Sequence, residues 1–176
     1  MNYSDAINKL KEGNIKFVKG ACKRDTSLDK RIDATRNGQN PYAVVLSCSD
    51  SRVIVEDIFN ASIGDIFTVE VAGNVVSNEV LGSMLYAINH LGVELVVVLG
   101  HTHCGAVEAA LDFKKEGKID WITERIKYGI GRVTDPREAS IKNVLNSVEI
   151  IELNIKDVKI VGTLYDIETG VVEFLN

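Results

Sequence analysis

Between residues 4 and 18 the apolar positions Ala6, Ile7, Leu10, Phe17 and Val18 return at helical spacing, with Ser4 placed to cap the start and Gly20 to end it. This predicts an amphipathic amino-terminal helix. Residues 28–36 (LDKRIDATR) offer few apolar anchors and run into Asn37-Gly38, so a short surface helix closed by a turn is expected there. The pattern then changes period. Residues 42–47 (YAVVLS), 65–71 (DIFTVEV) and 94–99 (ELVVVL) are short, rich in Val and almost continuously apolar, as strands buried on both faces are, and residues 158–164 repeat the pattern. Between the second and third runs, Val80, Leu81, Met84, Leu85, Ile88 and Leu91 mark a helix over residues 78–91. Strands alternating with helices imply an α/β fold, a mostly parallel central sheet flanked by helices. In residues 160–175 the segment Asp166-Ile-Glu-Thr-Gly170 separates two apolar runs, which predicts a terminal hairpin with an antiparallel edge strand.

A chain of 176 residues, 45% hydrophobic and 26% charged, with only two prolines, fits one ordinary globular domain. Its 20 basic and 25 acidic residues leave a net charge of −5, which argues against a grip on nucleic acid or anionic lipid. No run reaches the ~18 apolar residues of a membrane span. Asp5, Lys9, Lys11, Glu12, Lys16 and Lys19 interrupt the start, so no secretory leader is expected and the cytoplasm is the expected location. Cys22, Cys48 and Cys104 are too few, and odd in number, for a disulfide framework; in a reducing compartment they are thiols, thiolates or metal ligands.

In open parallel sheets ligands gather at the carboxyl ends of the strands. Two of these ends are polar here: the first strand runs into Cys48-Ser49-Asp50-Ser51-Arg52, and the third into Gly100-His101-Thr102-His103-Cys104-Gly105. Brought together, Cys48, His101 and Cys104 would form a three-ligand zinc set. Such a set leaves a fourth position for water, whose acidity the ion raises toward neutrality, as in catalytic rather than structural sites. Asp50 stands two residues from Arg52, which would keep its carboxylate ionised. It could orient the water, compete for the metal, or form only a structural ion pair. A lone cysteine at a strand end is more often packing than chemistry, and the case rests on the combination. His103 competes with His101, which has the better one-turn spacing to Cys104. His90 reads as a helix-terminal residue and Cys22 as an incidental thiol. A phosphatase loop needs its cysteine and arginine about six positions apart around an anion that Asp50 would repel. The absence of Cys-x-x-Cys leaves a thioredoxin-like role unsupported.

Taken together, Cys48-Ser-Asp-Ser-Arg52 and Gly100-His-Thr-His-Cys-Gly105 closely resemble the motifs of the β-class carbonic anhydrases. The resemblance runs through residues 10–17, Gly38-Gln-Asn-Pro41, Val71-Ala-Gly-Asn74, residues 86–92 and Tyr165-Asp166. It implies one Zn2+ per chain on Cys48, His101 and Cys104, with Asp50 and Arg52 as the catalytic dyad. Gln39, Phe67, Tyr86 and Gly105 match the substrate-binding positions, the glutamine often serving across a dimer interface. A single domain follows, with residues 1–38 as a helical arm and 39–176 as the zinc-binding core, assembled as a homodimer or homotetramer. The implied reaction is reversible hydration of carbon dioxide; alternatives on the same centre are hydrolysis of carbon disulfide or carbonyl sulfide, or non-catalytic zinc binding. A regulated subset of the family has a Trp and an Arg that hold an inhibitory bicarbonate. This chain has Val45 and Glu70 there, so it is expected to lack that control.

Overall fold

A computed structural model describes residues 1–112 and 114–175. The helices among them are α1 (Tyr3–Val18), α2 (Leu28–Asn37), α3 (Val55–Ile58), α4 (Asn78–Leu91), α5 (Gly105–Leu111), α6 (Asp120–Ile130) and α7 (Pro136–Asn154). The strands are β1 (Ala43–Ser47), β2 (Ile66–Glu70), β3 (Leu95–His101), β4 (Lys159–Tyr165) and β5 (Val172–Leu175), in the order β2-β1-β3-β4-β5. β1 pairs in parallel with β2 and β3, β3 in parallel with β4, and β5 closes the edge antiparallel to β4. The expected parallel sheet and terminal hairpin are both present. Single 3-10 turns lie at Ala72–Asn74 and Gly117–Ile119.

Period-two alternation splits the central strands between two cores. Val45, Leu95, Val97 and Leu99 pack with Ala6 and Leu10 of α1 and Val55 and Ile58 of α3. Val44, Leu46, Val96 and Val98 pack with Val80 and Met84 of α4 and Val144 and Ile151 of α7. With helices on both faces, β1 and β3 are buried throughout, as their unbroken Val runs require. β2 departs from that expectation: it is only partly buried, because as an edge strand it has no neighbouring strand on its far side among the described residues.

Several boundaries shift by a residue or two from the sequence reading. Asn2, not Ser4, caps α1, accepting the Asp5 amide at 2.9 Å, so the helix starts two residues earlier than a Ser4 cap would place it. β3 continues past Leu99 through Gly100 and His101, because β4 pairs with it as far as Tyr165. α1 is pinned to its own chain by Asn14, whose side chain donates to the Gly170 carbonyl and accepts from the Val172 amide, each at 2.9 Å. α2 has no buried residue. No helix among the described residues is long and apolar enough to cross a membrane.

Candidate metal centre

The chain leaves β1 toward β2 on one side, then crosses back to place β3 on the other. The crevice of the sheet therefore opens at the carboxyl ends of β1 and β3. Cys48 directly follows β1, His101 ends β3, and Cys104 precedes α5. Their ligating atoms all lie within 4.8 Å of one another, and all three residues are buried. The two sulfurs are 3.9 Å apart. Two thiolates at ~2.3 Å on a tetrahedral ion would stand about 3.8 Å apart, so the spacing suits zinc.

The histidine supplies an independent test of that fit. His101 Nδ1 lies 2.9 Å from the Thr102 carbonyl oxygen, which can only accept, so Nδ1 carries the proton and Nε2 presents a lone pair. Nε2 is buried and has no hydrogen-bond partner among the described residues. A buried lone pair without a donor is costly, and a cation between it and the two sulfurs satisfies it. The hydrogen bond from Cys104 holds the Cys48 thiol well below its ordinary range, against the cost of burial, with His101 and the Gly73 amide adding to the effect. Cys104 shifts the other way, raised first by its contact with Cys48 and then by burial, with the Val107 and Ala106 amides opposing. One sulfur of the pair is thus already disposed to be an anion.

Asp50 turns to the rim of this group. Arg52 grips it through Nε at 2.9 Å and a terminal guanidinium nitrogen at 2.8 Å, and the Arg52 amide adds a third bond at 3.0 Å. The Arg52 side chain, foremost, holds the Asp50 carboxyl far below the usual carboxylate range. Asp50 Oδ2 lies 4.0 Å from His101 Nε2. Arg52 also donates to the His103 carbonyl at 3.0 Å, tying the loop after β1 to the loop after β3.

A family model for carbonic anhydrase matches residues 43–143. A carbonic anhydrase of Mycolicibacterium smegmatis is 36% identical over 183 aligned residues, covering 93% of this chain and 89% of that protein. The chain belongs to the β-class carbonic anhydrases. The β-carbonic anhydrase CcaA superposes with a TM-score of 0.71 at 25% identity, over 97% of this chain and 95% of its own. A tetrameric β-carbonic anhydrase from Sordaria macrospora shares the fold at a TM-score of 0.72 and 22% identity, over 99% of this chain and 95% of its own.

Against this carbonic anhydrase frame the other candidate residues fall into separate places. His103 is exposed, holds a left-handed φ of 55° and lies 3.7 Å from Glu168, apart from the ligand group. Gly105 opens α5 beside Cys104, and a Cβ there would meet nothing within 4 Å. Phe67 and Tyr86 stand together with ring centroids 6.2 Å apart, and Phe67 is level with Val44, four residues before Cys48. Gln39 precedes β1 and so lies at its amino-terminal end, where it lines a cavity of about 370 Å³ with Asn37, Asn40 and Asp65. β1 alone separates its first and last residues by about 13 Å. Gln39 therefore lies too far from its own chain's Cys48 to share one small pocket with it. Val45 is fully buried in β1, and burial, followed by the charges of Glu56 and Cys48, raises the carboxyl pKa of Glu70. Cys22 is exposed, and His90 stacks at 5.1 Å on Tyr86.

Two features of the centre had no place in the sequence reading. The Gly73 amide donates to Cys48 Sγ at 3.2 Å, and the His103 carbonyl receives Arg52. Both are backbone groups, which side-chain spacing does not report; the available signal was a glycine just beyond the second strand.

Proposed function

We propose that this enzyme hydrates carbon dioxide reversibly to bicarbonate and a proton, with one zinc ion held by Cys48, His101 and Cys104. Zinc on a three-ligand protein set supplies Lewis acidity that makes water a nucleophile near neutral pH. The remaining work falls to the chain. Asp50, kept ionised and doubly held by Arg52, accepts a hydrogen bond from the attacking water and so aims the water's lone pair at the carbon of carbon dioxide. Arg52 fixes that carboxylate and, through the His103 carbonyl, its distance from the strand carrying His101. Gly105 leaves the approach beside Cys104 clear. Gln39, Phe67 and Tyr86 serve as the substrate-side wall. Because Gln39 sits at the far end of β1 from its own ligands, its target is the centre of a second copy, so the working unit is a homodimer. Pairing into a homotetramer would match the tetrameric Sordaria relative. Residues 1–38 act as an arm on the core of residues 39–176. Three free thiols suit a reducing cytoplasm.

The observation that carries this reading is the buried Nε2 of His101, without a hydrogen-bond partner among the described residues and grouped with two buried sulfurs. The test is metal analysis and stopped-flow carbon dioxide hydration on one sample. One zinc per chain with proton release far above the buffer rate is expected. A zinc-replete protein without hydration would defeat the assignment, and consumption of carbon disulfide in its place would redirect it.

A further inference from the structure

The turn Ala72–Asn74 has supports of its own. Gly73 reaches Cys48 Sγ with its amide while holding a left-handed φ of 67°. A Cβ on it would come within 2.6 Å of Ile126 Cδ1 and 3.1 Å of Ala106 Cβ, so glycine suits both the left-handed conformation and the close packing there. Asn74 follows with a φ of 45°, a left-handed conformation that asparagine tolerates better than other non-glycine residues and that its neighbours hold in place.

The enforcement comes from α7. Asn143 Nδ2 donates to the Gly73 carbonyl at 2.8 Å, and Ser147 Oγ donates to the Asn74 carbonyl at 3.1 Å. Both residues are 1% exposed. Four residues apart, they lie on one helix face and hold consecutive carbonyls of the turn. Val144 sets their reach. It sits over Gly100 and Gly162, where a Cβ would come within 2.3 and 2.8 Å of its methyl carbons. Those two glycines let α7 approach the sheet closely, and Gly100 is the residue before His101. The same helix is therefore packed on the strand that carries one candidate ligand and bonded to the turn that touches another.

We propose that Asn143 and Ser147 are positioning residues of the metal centre: they lock the 72–74 turn so that the Gly73 amide stays aimed at Cys48 Sγ. That bond draws charge from one thiolate and fixes its direction, making Cys48 a different donor from Cys104. The inference rests on the reading of Cys48, His101 and Cys104 as ligands and extends it to the residues that orient one of them.

The test loads metal-free protein with Co2+ and records the thiolate-to-cobalt absorption in the near ultraviolet together with affinity against a chromophoric chelator. Asn143→Ala and Ser147→Ala should each shift the absorption and weaken Co2+ binding about tenfold. Asn14→Ala is the control. Asn14 is also buried and bonded to backbone, but it joins α1 to the terminal hairpin, so its loss should lower stability and leave spectrum and affinity unchanged. If Asn143→Ala does not fold, Ser147→Ala, which removes a single oxygen, carries the test. Folded variants with wild-type absorption and affinity would overturn the proposal, as would an Asn14→Ala protein that moves both equally. A wild-type chain that takes up no Co2+ would instead defeat the metal centre itself, and this inference with it.

Discussion

Gly100→Ala tests how closely α7 is seated. The backbone at Gly100 is outside the left-handed region, so alanine itself is allowed, but its Cβ would stand 2.3 Å from Val144 Cγ2. Carbon atoms prefer about 3.5–4.0 Å, so helix and strand must part by more than about 1 Å or Val144 must leave its rotamer. Overpacking of this kind costs about 1–3 kcal/mol, offset by about 0.4–1 kcal/mol because alanine restricts the unfolded chain. A net loss of about 1–2 kcal/mol is expected from those opposing effects, each kcal/mol lowering Tm by about 2–4 °C in a chain of this size. Val144→Ala alone removes two buried methyl carbons and should cost about 2 kcal/mol. In the double variant the added methyl enters the space that Val144 vacated. Its loss should therefore fall short of the sum by about 1 kcal/mol or more. Urea titrations of the wild type, both single variants and the double variant, at equal metal content, measure this coupling. Additivity within about 0.5 kcal/mol would refute the claimed contact.

Cys48→Ser and Cys104→Ser should each purify without stoichiometric zinc, since each removes a thiolate from a three-residue set; metal analysis showing a full complement in either would break the ligand assignment. Asp50→Asn and Arg52→Ala should retain zinc while hydration falls roughly 10- to 100-fold, because they orient the attacking water and do not hold the ion; wild-type turnover in metal-replete protein would leave the pair structural only. Bicarbonate at fixed ionic strength should inhibit without cooperativity, since Val45 offers no donor and Glu70 brings negative charge where an anion would need a guanidinium. A steep cooperative curve, with bicarbonate located beside those residues, would contradict that.

The sheet and its chemistry were legible because they use the simplest signals. β1 and β3 lie between two helical layers, so both faces are apolar, and a polar residue at the end of either run stands out against Val and Leu. α4 has its expected bounds because Val80 and Met84 of the predicted apolar pattern face the core; the structure adds buried Ala87, the Ser77 cap and the left-handed Gly92 terminus. β2 read as fully buried because sequence does not say which strand is the edge. The cap of α1 was misplaced by two residues because Asn2 and Ser4 are both competent acceptors. Cys48, His101 and Cys104 could be grouped from spacing, whereas the distance from Gln39 to its own centre became visible only once the direction of β1 was fixed.

α7 shows why the rest was hidden. Its buried face consists of Ala139, Ser140, Asn143, Val144, Ser147 and Ile151, half of it polar, so apolar periodicity does not mark a 19-residue helix there. Asp135 followed by Pro136 was the available sign, a capping acceptor ahead of the residue best suited to the first helical position. A polar residue facing a core usually counts against a helix assignment, and the exception arises where a neighbouring element brings unpaired backbone groups to it. Here those groups are the Gly73 and Asn74 carbonyls, left free by a turn bent to present an amide to Cys48. The break in the hydrophobic pattern and the support of the metal centre are thus one feature. Making the face of α7 apolar would improve its helical signature while leaving two buried carbonyls without donors beside a candidate ligand.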